Sequence, residues 1–256
     1  MARKMKYEIG PEKLLQAVHD MYAKAHNVCT ISGVKTEGCV VRGNGKCISS
    51  DSEDLVASFL YANLKNRIPN LYIMVNPNIT RKDLSKHKKR LKCNGRSKKS
   101  KSVCPDILIC SWRADAEYDA VYVLELKQNT GWMRGENRVR TYLKNWIGNI
   151  ESLKKSVDNC KIGDPEEVNC AIHFSETAQY DIALLSDVND SRRNKIEYDK
   201  LIEDKFGGEL KMVALTDKAL YDKANPRFVP EPNDESFDYI ISRILDAWDA
   251  FRKKHR

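Results

Sequence analysis

The sequence predicts an α/β fold: a central mixed β-sheet flanked by helices. Three observations point there. Helical and strand patterns interleave along the chain, in the order helix, helix, three strands, helix, two strands, helix, strand, helix. Several strands are short apolar runs bounded by turn residues, among them Ile107–Cys110 and Val121–Leu126. With 41% hydrophobic and 31% charged residues over 256 positions, the chain has the material for one large globular domain with a charged surface.

Each element has a local reason. Residues 11–25 place Leu14, Leu15, Val18, Met21 and Tyr22 at helical spacing behind Pro11. Residues 28–48 are interrupted by Gly33, Gly38, Gly43 and Gly45 between β-prone pieces such as Cys39–Arg42, and read as loop or a weak hairpin. Ser50-Asp51-Ser52-Glu53 matches a capping box, a hydroxyl at the N-cap with a carboxylate three residues on. The helix it opens carries Val56, Phe59, Leu60 and Leu64 and stops before Pro69. Residues 71–75, LYIMV, form a strand, and Asn76-Pro77 turns the chain.

Ile107–Cys110 and Val121–Leu126 flank a polar, acidic turn and read as two adjacent strands of a hairpin. QNTGWMRG (128–135) is a loop. Residues 136–157 are a long helix with Val139, Leu143, Trp146, Ile147, Ile150 and Leu153 turned inward. Strands follow at Cys170–Phe174 and Ile182–Leu185, then a helix at 193–206 and a strand at Leu210–Leu215. After the Pro-rich connector PRFVPEPND, a last helix at 235–253 repeats Phe237, Ile240, Ile241, Ile244, Leu245, Trp248 and Phe251 on one face. There is no internal repeat.

The net charge of +8 is concentrated in one place. Residues 81–101 hold eleven Lys and Arg against the single acid Asp83, a local +10, so the rest of the chain sums to −2. A near-neutral body with one basic block suits a polyanionic partner. The block has almost nothing apolar to bury and by itself reads as a mobile or solvated loop. Lys86, Lys88, Lys89, Arg90, Arg96, Lys98, Lys99 and Lys101 are its candidate phosphate contacts. Trp132 and Arg134 in the glycine loop, and Arg138 and Arg140 at the start of the next helix, are weaker candidates for the same role.

Several functions lack their motifs. No run approaches the ~18–20 apolar residues a membrane span needs, and the basic N-terminus has no apolar stretch after it, so neither a membrane nor export is expected. The eight cysteines contain no C-x-x-C pair. With no export signal they are expected reduced, in the cytoplasm. His26, Cys29, Cys39 and Cys47 do not have the spacing of common zinc modules, so no zinc is expected. G-x-S-x-G and the P-loop are both absent.

The chemistry is concentrated between Pro105 and Gln128. Asp106 opens the first strand of the hairpin, and Glu125 and Lys127 close the second. Glu125 and Lys127 are two apart, so they project to one face. Pairing of the strands would bring Asp106 near them. Two carboxylates and an ammonium at strand ends are suited to a hard divalent cation and a water molecule.

Pro105-Asp106 followed by Glu125-Leu126-Lys127 resembles the PD-(D/E)XK nuclease superfamily, whose core is restriction-endonuclease-like. The likeness covers roughly residues 50–186, with the N-terminal helix and the C-terminal third as additions to one nuclease domain spanning 1–256. It implies that Asp106 and Glu125 ligate Mg²⁺, with Mn²⁺ as the alternative ion. Lys127 would act on the attacking water and the phosphate, and Gln128 on the substrate. Glu53 matches the upstream acid that many members use for the metal, although the capping box also accounts for a glutamate there.

The resemblance implies a Mg-dependent DNA endonuclease. Within the superfamily the expected type is a type II-like restriction enzyme that cuts double-stranded DNA at a specific site as a homodimer. The alternatives are a structure-specific repair or recombination nuclease, a defence effector nuclease, or a non-catalytic nucleic-acid-binding module.

Overall fold

Among the described residues, amphipathic spacing becomes the helices α1 (Pro11–His26), α2 (Cys47–Leu64), α3 (Glu136–Lys154) and α4 (Asp234–Lys254). The strands among them are β1 (Val28–Thr30), β2 (Val40–Arg42), β3 (Leu71–Val75), β4 (Ile79–Arg81), β5 (Ile107–Ala114), β6 (Glu117–Lys127), β7 (Cys160–Ile162), β8 (Cys170–Leu184) and β9 (Met212–Ala214). These are the elements of a computed structural model that describes residues 5–26, 28–30, 40–42, 47–81, 103–128, 136–154, 160–162, 170–188, 199–200, 202–204, 210–220, 225 and 227–255. The fold is α/β. β3 to β9 form one mixed sheet in the order β3-β5-β6-β8-β7-β4, with β9 joined to β8.

The chain packs as two compact units, each drawn from separated stretches. One comprises residues 1–64, 126–132 and 182–242, the other 65–125, 133–181 and 243–256. In the first unit, α1 and α2 bury Leu14, Leu15, Val18, Val56, Leu60 and Leu64. Phe59 stacks edge-on against Phe237 at 5.2 Å, and the Tyr7 hydroxyl donates to Asp238. Asn63 is buried at the end of α2 because it ties down the chain before α1. Its Oδ1 accepts from the amides of Glu8 (2.6 Å) and Ile9 (3.2 Å), while its Nδ2 donates to the Ile9 carbonyl at 3.0 Å. β9 pairs in parallel with Ile182–Leu184 of β8.

In the second unit β3, β5 and β6 form an antiparallel ladder. β6 and β8 run in the same direction. The amide of Ala171 donates to the carbonyl of Ala116 at 2.7 Å, and that of Leu185 to Lys127 at 2.8 Å, so partner numbers rise together along both strands. Parallel neighbours need a long crossover, and α3 lies within it. Tyr180 and Asp181 are consecutive on β8 and so point to opposite faces. Tyr180 meets Trp146 of α3 at 5.6 Å, and Asp181 meets Arg243 of α4. The sheet is therefore flanked on both faces.

Several sequence expectations need correction. β1 and β2 pair in parallel, so residues 28–42 do not form a hairpin. β8 is one fifteen-residue strand where two were expected with a break over 175–181. Asp181, at the end of that stretch, has distant partners: it accepts from Tyr122 on β6 and from Arg243 on α4.

The hairpin strands also run further than their apolar runs, meeting at a turn on Asp115 and Ala116, where Ala116 takes φ 55°. Trp112 opposite Tyr118, and Arg113 at 3.8 Å from Asp119, hold the exposed end together. β4 and β7, three residues each, carry no pattern long enough to announce them. The expected helix at 193–206 is only partly among the described residues, of which 199–200 and 202–204 are helical.

Candidate active site

Asp106 and Glu125 flank the last step of the β5–β6 ladder. Ile107, Leu108 and Ile109 of β5 stand opposite Leu124, Val123 and Tyr122 of β6. Continued one step beyond the end of β5, the same register would set Asp106 opposite Glu125. Directly opposed residues of an antiparallel pair share a face, with Cβ atoms about 4.5–5.5 Å apart. The backbone of Asp106 is held on its other side as well, its carbonyl accepting from the Asn76 amide at 2.9 Å.

The register depends on a bulge. Nearer the turn, Cys110, Ser111 and Trp112 pair with Ala120, Asp119 and Tyr118, and the shift lies between Ile109 and Cys110. Carried straight through without that shift, the turn-side register would set Asp106 against Leu124 and turn Glu125 to the far face.

Both carboxylates are buried. Asp106 is 9% exposed and Glu125 5%, so Glu125 is no part of a solvent-facing ion pair. Its partner is on α3: the Tyr142 hydroxyl donates to Glu125 Oε1. Four influences push the Tyr142 phenol far above its ordinary range. Burial is the largest, followed by the charge of Glu125, the hydrogen bond to it, and the charge of Asp106. The Asp106 carboxylate thus lies within electrostatic reach of the same hydroxyl that Glu125 accepts from.

Lys127, half-buried, ends the same strand two residues after Glu125. The backbones of Lys127 and Gln128 are fixed by the amides of Leu185 and Ser186, and the Gln128 side chain is exposed.

Glu53 belongs to the other unit. α2 begins at Cys47, so Ser50 lies inside the helix rather than at its N-cap, and the capping-box account of Glu53 falls. Glu53 is instead a buried acid, 8% exposed, in the second turn of α2. Among the described residues no group of three or more His, Cys, Asp or Glu is gathered in a way that would hold a metal ion. What the structure assembles is a carboxylate pair. A pair fits Mg²⁺, which usually takes one or two carboxylates and completes its shell with water and substrate oxygens.

Lys86, Lys88, Lys89, Arg90, Arg96, Lys98, Lys99 and Lys101 lie outside the described residues, as do Trp132 and Arg134. α3 includes Arg138 and Arg140.

Sequence reasoning passed over Tyr142. Its signal was available, since Tyr142 falls three after Val139 and four before Trp146, on the inward stripe of α3. A phenol on such a stripe needs a buried acceptor. It also passed over the trio of Tyr122, Asp181 and Arg243, which joins residues far apart in the chain.

Cys110 is fully buried and its thiol is pushed well up, by burial first and by the Asp119 charge second. It packs as a small hydrophobe. Among the described residues no helix is long and apolar enough to cross a membrane. No family model, no curated protein and no solved structure matches the chain, so its chemistry must be argued from the residues themselves.

Proposed function

We propose that the chain is a metal-dependent endodeoxyribonuclease with a restriction-endonuclease-like core. Its closest fit is a type II-like restriction enzyme that cuts double-stranded DNA at a specific site as a homodimer. One observation supports the reading: the β5–β6 ladder ends with Ile107 opposite Leu124, next to the buried acids Asp106 and Glu125, with Lys127 two residues beyond Glu125 in the sequence. The β5–β6 pair followed in the chain by the long helix α3 and the strand β8 supports the reading.

Asp106 and Glu125 would hold Mg²⁺ or Mn²⁺. Such an ion, when bound, polarises the scissile phosphate and lowers the pKa of a coordinated water. Lys127 contributes a positive charge on the same strand face. It orients the attacking water, takes part in its deprotonation, and offsets charge on the phosphate oxygens. Gln128, exposed just past the strand, would contact the substrate. The +10 block of residues 81–101 supplies the attraction for the DNA backbone.

The test is cleavage of a mixed-sequence plasmid with Mg²⁺ by the wild type and by Glu125→Ala. The wild type is expected to cut only with metal and the variant to lose more than about a hundredfold while still binding DNA. Loss of an outer partner of a metal ligand alone typically costs 10–100-fold. Equal cutting by both proteins would overturn the active-site assignment. Discrete fragments would support restriction, a smear an effector, and dependence on branched substrates a repair enzyme.

A further inference from the structure

A carboxylate that ligates a metal must be presented in one orientation, and a glutamate has three rotatable bonds with which to lose it. Glu125 is restrained by Tyr142, on the helix that covers its face of the sheet: the hydroxyl donates to Oε1. The rest of α3 makes that restraint rigid. Leu143, Trp146, Ile150 and Leu153 are buried around and beyond Tyr142, and Trp146 is braced edge-on against Tyr180 of β8 at 5.6 Å. The phenol feels both carboxylates of the pair, since the charges of Glu125 and Asp106 each act on it.

We propose that Tyr142 is the positioning residue of this site: by holding Oε1 of Glu125 it orients the carboxylate toward the Asp106 side and so sets the affinity for the divalent ion. The proposal rests on the reading of Asp106 and Glu125 as metal ligands. It extends that reading to a residue on another element, which touches neither substrate nor metal. A ligand's hydrogen-bonded neighbour typically governs its basicity and orientation, and losing it costs about 10–100-fold in metal affinity. A merely structural tyrosine would behave differently. Its removal would lower stability and leave the metal affinity of the folded protein as it was.

The experiment is equilibrium binding of Mn²⁺ to the full chain without DNA, read by electron paramagnetic resonance. Wild type, Glu125→Ala and Tyr142→Phe are compared, each with a thermal melt to establish that it is folded. The expected result is binding by the wild type, loss in Glu125→Ala, and about 10–100-fold weaker binding in Tyr142→Phe. Wild-type affinity in Tyr142→Phe, with binding lost in Glu125→Ala, would overturn the role of Tyr142 alone. Equal binding by wild type and Glu125→Ala, or none by either, would overturn the metal-site reading and this proposal with it. If Tyr142→Phe does not fold, Tyr142→Met repeats the measurement with a softer apolar filler and the same expected loss.

Discussion

Asp181 has no exposed surface. Its carboxylate accepts from the Tyr122 hydroxyl at 2.8 Å and from Arg243 Nε at 3.3 Å. A charge taken out of water needs this kind of compensation, and removing one partner of such a pair strands the other. Asp181→Ala is therefore expected to cost about 3–5 kcal/mol, toward the lower figure because Arg243 keeps some access to water. Asp181→Asn should cost less, since the amide oxygen still accepts from Tyr122. Urea unfolding of both variants measures it, and a loss below about 1 kcal/mol for Ala would mean that the trio does little for stability. Glu125 is the other kind of buried acid. It accepts from the neutral phenol of Tyr142 on α3.

The helices show how far local pattern reaches. α1, α3 and α4 begin and end within a few residues of where the apolar spacing puts them. α3 also contains a weak point. Gly148 is exposed in its interior, and a Cβ built there meets nothing within 4 Å. Glycine in a helix costs about 0.8–1 kcal/mol relative to alanine. Gly148→Ala should therefore raise stability by up to about 1 kcal/mol, seen as a melting temperature about 2–4 °C higher for a chain of this size. A lower melting temperature would mean that the glycine serves a contact beyond α3.

Strands were less legible than helices. β8 looked like two because its middle, Ser175 to Asp181, is polar, and a strand can keep polar residues only if other elements satisfy them. The opposite error occurred at α2, where a serine and a glutamate at capping-box spacing lie inside a helix that starts earlier.

At the scale of the molecule, the outstanding feature is the concentration of positive charge between Arg81 and Lys101 against a body that sums to −2. If that block contacts DNA, each phosphate contact contributes about −0.9 to the slope of log affinity against log salt. Neutralising Lys98, Lys99 and Lys101 together should weaken DNA binding and flatten the slope by up to about 2.7, in a filter-binding or fluorescence titration across salt. An unchanged slope would make the block a solvated loop and place the DNA-binding surface elsewhere. The variant keeps Asp106, Glu125 and Lys127, so residual cutting at low salt would separate substrate capture from chemistry.

By itself the sequence determined the α/β class, the amphipathic helices α1, α3 and α4, the strand that follows Asp106 and the strand that carries Glu125 and Lys127, and the location of the basic block. All of these rest on residues close together in the chain, where periodicity and charge can be read directly. The tertiary structure alone decided the β5–β6 register that leads up to Asp106 and Glu125. That turns on a one-residue shift between Ile109 and Cys110, and because strand side chains alternate, a single slip exchanges the faces. It also decided that Tyr142 reaches Glu125 and that Asp181 is paid for by Tyr122 and Arg243. These contacts join residues 17, 59 and 62 positions apart. They exist because a sheet and the helices on its faces were packed together, and no local pattern records that packing.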